Sequence, residues 1–478
     1  MKQSVFLLFI FSFSFLFSQP KIYLQHIDIE GNKRTKASVI LREMTIHIGD
    51  SLEKNALPAL LLRNQQNIYN LSLFNLVKID SVLQENSLSL KITVKERWYI
   101  FPTAGLVSEE RNSYDVINIL KKDALFLPVK EWIIPRFSYD ATLVWLNLTG
   151  HNNRAWLAVQ GGFAQRLSAG YVHPWLLPKQ RIDFYAGIDY EKEKQFIFNT
   201  IQGNTQWGRV ENKALQTDYS GYISGRKRFD AFKSLYVSAS YKHVRFNDSI
   251  YKFNPLYLAD NKTVVAYPSL TMQYMCDKRD IKAYPLKGFR YRGLLRISGF
   301  VPGSTNSFVK IGATFAHYVP LTKRLYLSYG SHNIISFGKK IPYFEKNFLW
   351  IDKHDLPDVN NELRGYERYS ADAQGLSFNK VDLKYAILPR KIYHLTWIPW
   401  SKFQDMPFGF YATSFCDTGY MWDKTFNNQD TFLKNKFLYG YGVGLNMMGI
   451  YDLLGRFEVS LNHLKQVSIN VHATVPIR

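Results

Sequence analysis

Residues that commonly carry out chemistry are sparse in this 478-residue sequence and do not form a recognisable reaction centre. His243, His317 and His332 fall in segments with strand-like alternation, and the sequence has neither a Gly-x-Ser-x-Gly nor a His-Glu-x-x-His motif. Catalysis needs a converging nucleophile and base, an acid pair or metal ligands. Cys276 and Cys416 have no metal-type spacing and are too few for a disulfide scaffold. We therefore expect no catalytic residue, no metal site and no cofactor, and a protein that is not an enzyme.

Two charged motifs stand out from this background. Leu363-Arg364-Gly365-Tyr366-Glu367 lies in a long connection, and Phe415-Cys416-Asp417-Thr418-Gly419 lies in a segment with strand alternation. If the apolar even-numbered residues from Phe408 onward face lipid, the odd-numbered Phe415 and Asp417 face inward. A carboxylate inside a barrel needs a partner, and an arginine fork is the natural one because it binds both carboxylate oxygens.

The elements that would position these motifs are strands. From Trp98 onward, segments of about ten residues alternate apolar and polar side chains, most clearly from Val467 to Ile477. Aromatic residues make up 16% of the chain, and no segment after the N-terminus is continuously apolar over about 18 residues. These features are typical of a transmembrane β-barrel, although a soluble β-sandwich also alternates. We predict a mainly β protein whose sixteen antiparallel strands occupy 98–106, 136–148, 153–162, 163–174, 181–191, 216–228, 232–246, 264–277, 288–299, 306–319, 324–337, 378–388, 408–419, 436–447, 453–462 and 466–477.

The residues before the barrel divide into two parts. Residues 1–18 have a basic start at Lys2 and a short apolar run, which is the layout of a secretory signal peptide. Residues 22–97 combine two helix-like and three strand-like segments in the order β-α-α-β-β, which predicts one compact α/β domain. We expect residues 98–478 to form the barrel, with a long connection at 338–377, and residues 192–215 to be either a strand extension or a loop.

The net charge of +21 gives only weak information about partners. An exported protein rarely meets nucleic acid, so we expect none as a partner. Anionic lipid headgroups and acidic or unfolded polypeptides are better candidates. A basic lumen with solvated loops explains the same charge equally well.

Several short motifs together give the chain a family resemblance. Residues 22–97 resemble a POTRA domain, and the whole mature chain resembles the BamA/TamA assembly family, also called the bacterial surface antigen family. The resemblance depends on the two charged motifs, the strand count, and the following segments: Ile27-x-Ile29-x-Gly31-Asn32-x-x-Thr35, Ile48-Gly49-Asp50, Leu71-x-x-Phe74-x-x-Val77, Ile92-x-Val94-x-Glu96, Asp277-x-Arg279-Asp280 with Tyr284-Pro285-x-x-Gly288, and Asn147-Leu148-Thr149-Gly150 with Tyr171-x-x-Pro174.

This resemblance implies a location and a role. It places the barrel in the bacterial outer membrane and the POTRA domain in the periplasm. It also implies that loop 338–377 folds into the lumen, where Arg364 of Arg364-Gly365-Tyr366 meets Asp417 on the inner wall. Members of the family insert other polypeptides into the membrane or pass them across it, so unfolded outer-membrane or secreted polypeptides, lipids and accessory lipoproteins are the implied partners. The chain departs from the pattern in having room for one POTRA domain and no terminal aromatic residue.

The resemblance also implies two places where a client could pair. One is a free edge of the POTRA sheet, expected at Val77, Lys78, Ile79 and Asp80. The other is a weak seam between strands one and sixteen, near which Pro102 and Pro476 each lack an N–H. A dedicated pore that exports one partner protein is the alternative function, because the same fold supports it. A passive porin is disfavoured by the POTRA domain and by a basic loop inside the lumen.

Overall fold

The computed structural model describes residues 21–108, 137–162, 164–210, 213–258, 262–338, 341–349, 363–400, 404–423 and 432–474. The predicted signal peptide lies outside these residues. A four-stranded sheet organises the N-terminal domain, and a sixteen-stranded sheet follows it.

The N-terminal domain is a four-stranded sheet with two helices. Its elements are β1 (Lys21–Glu30), α1 (Ala37–Leu41), β2 (Ser51–Glu53), α2 (Leu57–Tyr69), β3 (Phe74–Gln84) and β4 (Ser87–Glu96). The strand order is β2-β1-β4-β3, with β1 parallel to β4 and β3 at one edge. The predicted β-α-α-β-β order is confirmed. The short β2 was not predicted, since three residues are too few to display a periodicity.

One apolar core joins the helices and strands of this domain. Its fully buried members come from α1, α2 and three of the strands: Ile22, Leu24, Val39, Ile40, Ile68, Phe74, Leu88 and Ile92. The turn after β1 needs its glycine, because Gly31 has φ +90° and a Cβ there would lie 1.9 Å from the Val94 carbonyl oxygen.

The second sheet is a barrel of sixteen antiparallel strands, as predicted. Each strand of this sheet pairs with the barrel strands before and after it in the chain, and the first and last strands are the two ends of the order. The strands are β5 (Ile100–Ser108), β6 (Phe137–Leu146), β7 (Arg154–Gly162), β8 (Ala164–Leu177), β9 (Ile182–Glu193), β12 (Gln216–Arg228), β13 (Lys233–Phe246), β14 (Val264–Asp277), β15 (Gly288–Ser298), β16 (Phe308–Pro320), β17 (Leu325–Phe337), β20 (Gly375–His394), β21 (Asp405–Trp422), β22 (Phe437–Met448), β23 (Leu454–Asn462) and β24 (Val467–Thr474).

Side chains alternate between the two faces of this sheet. On β22 the apolar side chains of Tyr441, Val443 and Leu445 are exposed, and the glycines between them lie on the inner face. On β23, Phe457 is exposed whereas Glu458 is buried. The outer face is therefore apolar and the inner face polar, as a barrel in lipid requires.

The connections divide between two ends of the barrel. The near end, next to the N-terminal domain, has short turns. The far end has longer connections, which contain the hairpin β10 (Gln195–Ile201) with β11 (Asn204–Arg209), helix α3 (Ile250–Phe253), and the short pair β18 (Asn347–Leu349) with β19 (Ala371–Ala373). Residues 192–215 thus contain a hairpin beyond the end of β9, and the long connection runs from 338 to 374. None of the helices among the described residues is long and apolar enough to cross a membrane.

Candidate functional site

The centre of the barrel contains a buried ion-pair cluster around Arg364. Its guanidinium binds Asp417 through two nitrogens, Nη2 to Oδ1 at 2.6 Å and Nε to Oδ2 at 2.9 Å. The third nitrogen, Nη1, lies 2.7 Å from Asp382 and 3.5 Å from Glu458. The guanidinium also stacks on the ring of Phe415 at 3.8 Å. These residues are called the Arg364 cluster below.

The Arg364 cluster is buried except at Asp382, whose side chain is 23% exposed. The Asp417 side chain has no exposed surface, and that of Arg364 is 8% exposed. Burial alone lowers the pKa of Arg364, but the carboxylates of Asp382 and Asp417 outweigh burial and raise this pKa above its ordinary value. The arginine therefore stays charged, and the cluster holds the loop to strands β20, β21 and β23 at once.

Glycines let the loop backbone reach the wall. A Cβ on Gly440 of β22 would lie 2.0 Å from the Arg364 carbonyl oxygen. Gly365 has φ +92°, a conformation that other residues adopt at a cost. Its carbonyl oxygen accepts a hydrogen bond of 2.7 Å from the Asn462 side chain. A Cβ on Gly419 would lie 2.8 Å from the Phe378 ring, so this glycine also permits a close approach.

Tyr366, the tyrosine of the loop motif, contacts β22 and the turn after β23. Tyr366 is fully buried, and its hydroxyl donates to the Tyr439 carbonyl oxygen at 3.0 Å. The ring stacks on His463 with centroids 5.6 Å apart. The structure thus brings Arg364 together with Phe415 and Asp417 of the predicted wall motif, whereas Gly365 and Tyr366 contact Asn462, Tyr439 and His463 instead. Gly419 lies next to Leu363, the residue before Arg364. Asp382 and Glu458 belong to the same cluster, but the sequence analysis missed them. The signal available for Glu458 was its inward position on β23.

A second buried cluster fastens the first half of the same loop. Glu345 accepts a hydrogen bond from Tyr267 at 2.7 Å and lies 3.0 Å from the ammonium of Lys310. The neighbouring Lys346 binds Asp372 and Asp423, each at 2.7 Å. Burial by itself raises the pKa of Asp372, but Lys346 and Lys434 outweigh it and lower this pKa to about 2.

The N-terminal domain contacts the near end of the barrel through buried polar contacts. Arg97 binds Asp452 in the turn before β23 at 2.8 Å, and both side chains are 4% exposed. Tyr69 donates to the same carboxylate at 2.8 Å. Burial, followed by the charge of Asp452, raises the pKa of Tyr69 to about 12. An arginine, a tyrosine and a carboxylate thus join the two domains without exposed charge.

Two of the family-like motifs form part of this junction. In the turn after β6, the Asn147 side chain donates to the Thr35 hydroxyl at 2.9 Å. A Cβ on Gly150, which has φ +84°, would lie 2.4 Å from the Arg34 carbonyl oxygen. At the turn after β14, the guanidinium of Arg279 binds both carboxylate oxygens of Asp277. The backbone carbonyls of this turn accept hydrogen bonds from the side chains of Arg63 in α2 and Asn70 at its end.

The predicted client edge lies on β3, which pairs only with β4 within its sheet. Lys78 and Asp80 are exposed and form an ion pair at 2.8 Å, Ile79 is half-buried, and Val77 is buried in the domain core. The Val77 carbonyl oxygen already accepts a hydrogen bond of 2.8 Å from Gln65 of α2. The role of this edge stays a prediction.

The predicted seam falls between β5 and β24. Among the described residues, no backbone ladder joins these two strands. Pro102 lies within β5 opposite Leu143 of β6, and Pro476 lies outside the described residues. Residues 102–105 of β5 are all exposed, on both faces of the strand. Opening of this seam stays a prediction.

The comparisons with known proteins agree with this architecture. Residues 147–449 match the Omp85 superfamily domain, and residues 22–97 match a POTRA model described as surface antigen variable number repeat. The fold is similar to that of BamA from Haemophilus ducreyi lacking POTRA domains 1–3, with a TM-score of 0.51 and 14% identity over 95% of this chain and 84% of that one. It is also similar to CdiB from Escherichia coli, with a TM-score of 0.53 and 11% identity over 95% and 75% of the two chains. The search of curated proteins gave no match.

These matches define an outer-membrane β-barrel with one periplasmic POTRA domain. The chain belongs to the Omp85 superfamily, whose domain model covers more than half of it. The near end of the barrel is thus the periplasmic end, and the far end is extracellular.

Proposed function

We propose that this protein inserts unfolded outer-membrane polypeptides into the membrane by strand addition and catalyses no reaction. The observation that carries the proposal is the order of the barrel sheet, which begins at β5 and ends at β24 with no ladder between them among the described residues. A strand edge that faces lipid must satisfy its N–H and C=O groups. A client strand that pairs with either edge supplies hydrogen-bond partners for these N–H and C=O groups.

The POTRA domain supplies a first docking place in this proposal. The strand β3 lies at the edge of its sheet, and the exposed side chains of Lys78 and Asp80 support a docking role for this part of the edge. An extended client segment added there would be held by main-chain hydrogen bonds. Accessory lipoproteins are further proposed partners, by resemblance to the family.

The Arg364 cluster has a positioning role in this proposal. It ties the loop to strands β20, β21 and β23, which lie toward the β24 end of the sheet order. The wall on that side keeps its shape while the seam accepts a client. We propose that the cluster acts on assembly through barrel shape and not by touching the client.

A dedicated translocation pore is the second candidate. The inner wall of β15 carries Arg290, Arg292 and Arg296, and a basic wall suits the passage of an acidic or unfolded chain. Lateral insertion uses the seam, whereas export uses the lumen.

Depletion of the protein followed by quantitative proteomics of the outer membrane distinguishes the two. Insertion predicts that many barrel proteins decrease together, and re-expression of the wild-type chain restores them. Loss of a single surface or secreted protein would favour the dedicated pore. An unchanged outer-membrane proteome and secretome would contradict both.

A further inference from the structure

One hairpin of the barrel extends past its neighbours on the periplasmic side. β20 pairs with β17 only as far as Tyr385, and β21 pairs with β22 only as far as Gly409. Residues 387–400 and 404–408 continue beyond both neighbours and are called the rim hairpin. On β21 alone, the four residues from Asp405 to Phe408 reach about 13 Å further at about 3.3 Å per residue. The two sides of the hairpin are joined by a hydrogen bond of 2.8 Å from the Leu395 N–H to the Gln404 carbonyl oxygen.

The inner face of the rim hairpin holds the POTRA domain. Asp405 forms an ion pair with Lys95 of β4 and also contacts His394, its partner across the hairpin, at 2.8 Å. The guanidinium of Arg390 lies 4.6 Å from the centre of the Tyr69 ring. The charged side of the hairpin is therefore used within the molecule.

The outer face of the rim hairpin continues the lipid-facing surface of the barrel. Even-numbered residues of β21 face outward, so Met406 and Phe408 lie on the same face as Phe410. Residues opposite each other in an antiparallel pair share a face, which places Tyr393 beside Met406. The rings of Tyr393 and Phe408 meet edge to face at 6.4 Å. The apolar, aromatic outer face of the barrel wall thus continues onto the outer face of the rim hairpin.

The tip of the hairpin carries two highly exposed tryptophans. Trp397 is 78% exposed and Trp400 is 69% exposed, more than the other tryptophans among the described residues. Residues 387–408 contain three basic residues and one acidic residue. Tryptophan and tyrosine side chains beside basic residues are characteristic of membrane–water interfaces, where one part of the ring is apolar and the other is hydrated.

We propose that the rim hairpin is a membrane-interface anchor, with Trp397 and Trp400 seated among the phospholipid headgroups of the periplasmic leaflet. One side of the hairpin binds lipid and the other binds the POTRA domain through Asp405 and Arg390. The anchor therefore fixes the height and orientation of the POTRA domain relative to the membrane. This inference depends on the outer-membrane location and not on which client the barrel handles.

A phospholipid surface fits these observations better than a protein partner does. The apolar outer face is continuous with wall residues that contact lipid in any barrel of this kind. The hairpin is also basic, which suits anionic headgroups. A protein that docked on the same face would have to displace lipid from the adjoining wall.

Depth-dependent fluorescence quenching of the full chain in phospholipid vesicles tests the anchor. Cys276 and Cys416 are first replaced by serine, and single cysteines are then placed by Trp397→Cys, Trp400→Cys or, as a control, Val82→Cys for labelling with an environment-sensitive fluorophore. Val82 is 57% exposed on the POTRA strand β3. The vesicles contain phosphatidylethanolamine and phosphatidylglycerol, with or without a lipid that carries a shallow quencher.

The expected result is strong quenching of the labels at 397 and 400 by the shallow lipid quencher, several-fold above the Val82→Cys control, with weak quenching by aqueous iodide. Equal lipid quenching at all three positions would overturn the proposal. Strong iodide quenching that disappears only on addition of an unfolded outer-membrane polypeptide would also overturn it and would assign the face to clients. A label at Tyr393→Cys reports on two double variants. Trp397→Phe with Trp400→Phe should retain most of the anchoring, so iodide access to this label should stay low. Trp397→Ser with Trp400→Ser should raise iodide access to it.

Discussion

Replacement of Arg364 by alanine is the most informative perturbation of the barrel. The substitution removes two hydrogen bonds to Asp417, at 2.6 and 2.9 Å, and the contact with Asp382 at 2.7 Å. It leaves the buried Asp417 and Glu458 and the partly exposed Asp382 close together without their shared cation. Removal of one partner of a buried ion pair typically costs about 3–5 kcal/mol. We therefore expect the folding equilibrium of the barrel to fall by about a hundredfold or more.

Urea unfolding in detergent micelles, followed by heat-modifiability on gels, measures this change. Arg364→Lys keeps the charge but loses the two-pronged geometry and the stacking on Phe415, so it should cost less, about 1–3 kcal/mol. Asp417→Ala combined with Arg364→Ala should be no less stable than Arg364→Ala alone, because the most buried unpaired carboxylate is then gone. Lys91→Ala, which breaks the exposed ion pair with Glu30, is the matched control and should behave as wild type. If Arg364→Ala also behaves as wild type, the cluster does not stabilise the loop.

Three further predictions follow from the same geometry. Gly440→Ala should lower the unfolding midpoint, because its Cβ would meet a loop carbonyl at 2.0 Å, whereas Gly293→Ala, with no atom within 4 Å of the new Cβ, should not. Asp452→Ala should make the linkage between POTRA domain and barrel sensitive to limited proteolysis and destabilise the protein by about 3 kcal/mol, since it leaves a buried arginine unpaired. The pKa of Asp372 is lowered from 3.8 to about 2, so the contribution of this carboxylate to stability is present above about pH 4 and is lost as the pH falls through 2. Acid titration of the unfolding midpoint should show this loss. Asp372→Asn should remove this part of the pH dependence.

The strand pattern could be predicted because lipid and lumen select opposite side chains at every second residue. The predicted strand ends were less accurate where a strand extends beyond the membrane and lipid no longer selects apolar side chains. Strands predicted at 378–388 and 408–419 are observed as Gly375–His394 and Asp405–Trp422. Beyond the wall, the register of β20 against β21 shifts after Ala386 and again after Leu388, so the alternation that marks a strand in lipid is interrupted.

The Arg364–Asp417 contact could be predicted because both residues lie in recognisable motifs and strand parity turns Asp417 inward. The contacts of Asp382 and Glu458 with Arg364 could not be predicted, although both are inward polar residues. Which inward residues lie at the same height depends on the stagger of non-adjacent strands around the barrel, and alternation along one strand carries no information about that stagger. The contact between Arg97 and Asp452 joins residues 355 positions apart in different domains, and neither belongs to a motif.

Two of the buried ion-pair sites of this molecule involve residues next to or within β23. Asp452, which binds the POTRA domain, precedes β23, and Glu458 of the Arg364 cluster lies four residues after the first residue of β23, Leu454, about 13 Å along the strand at about 3.3 Å per residue. Substitutions separated by more than about 10 Å usually contribute additively to stability. Asp452→Ala and Arg364→Ala are therefore expected to lower the free energy of unfolding additively, and the loop contacts should persist when the POTRA junction is broken.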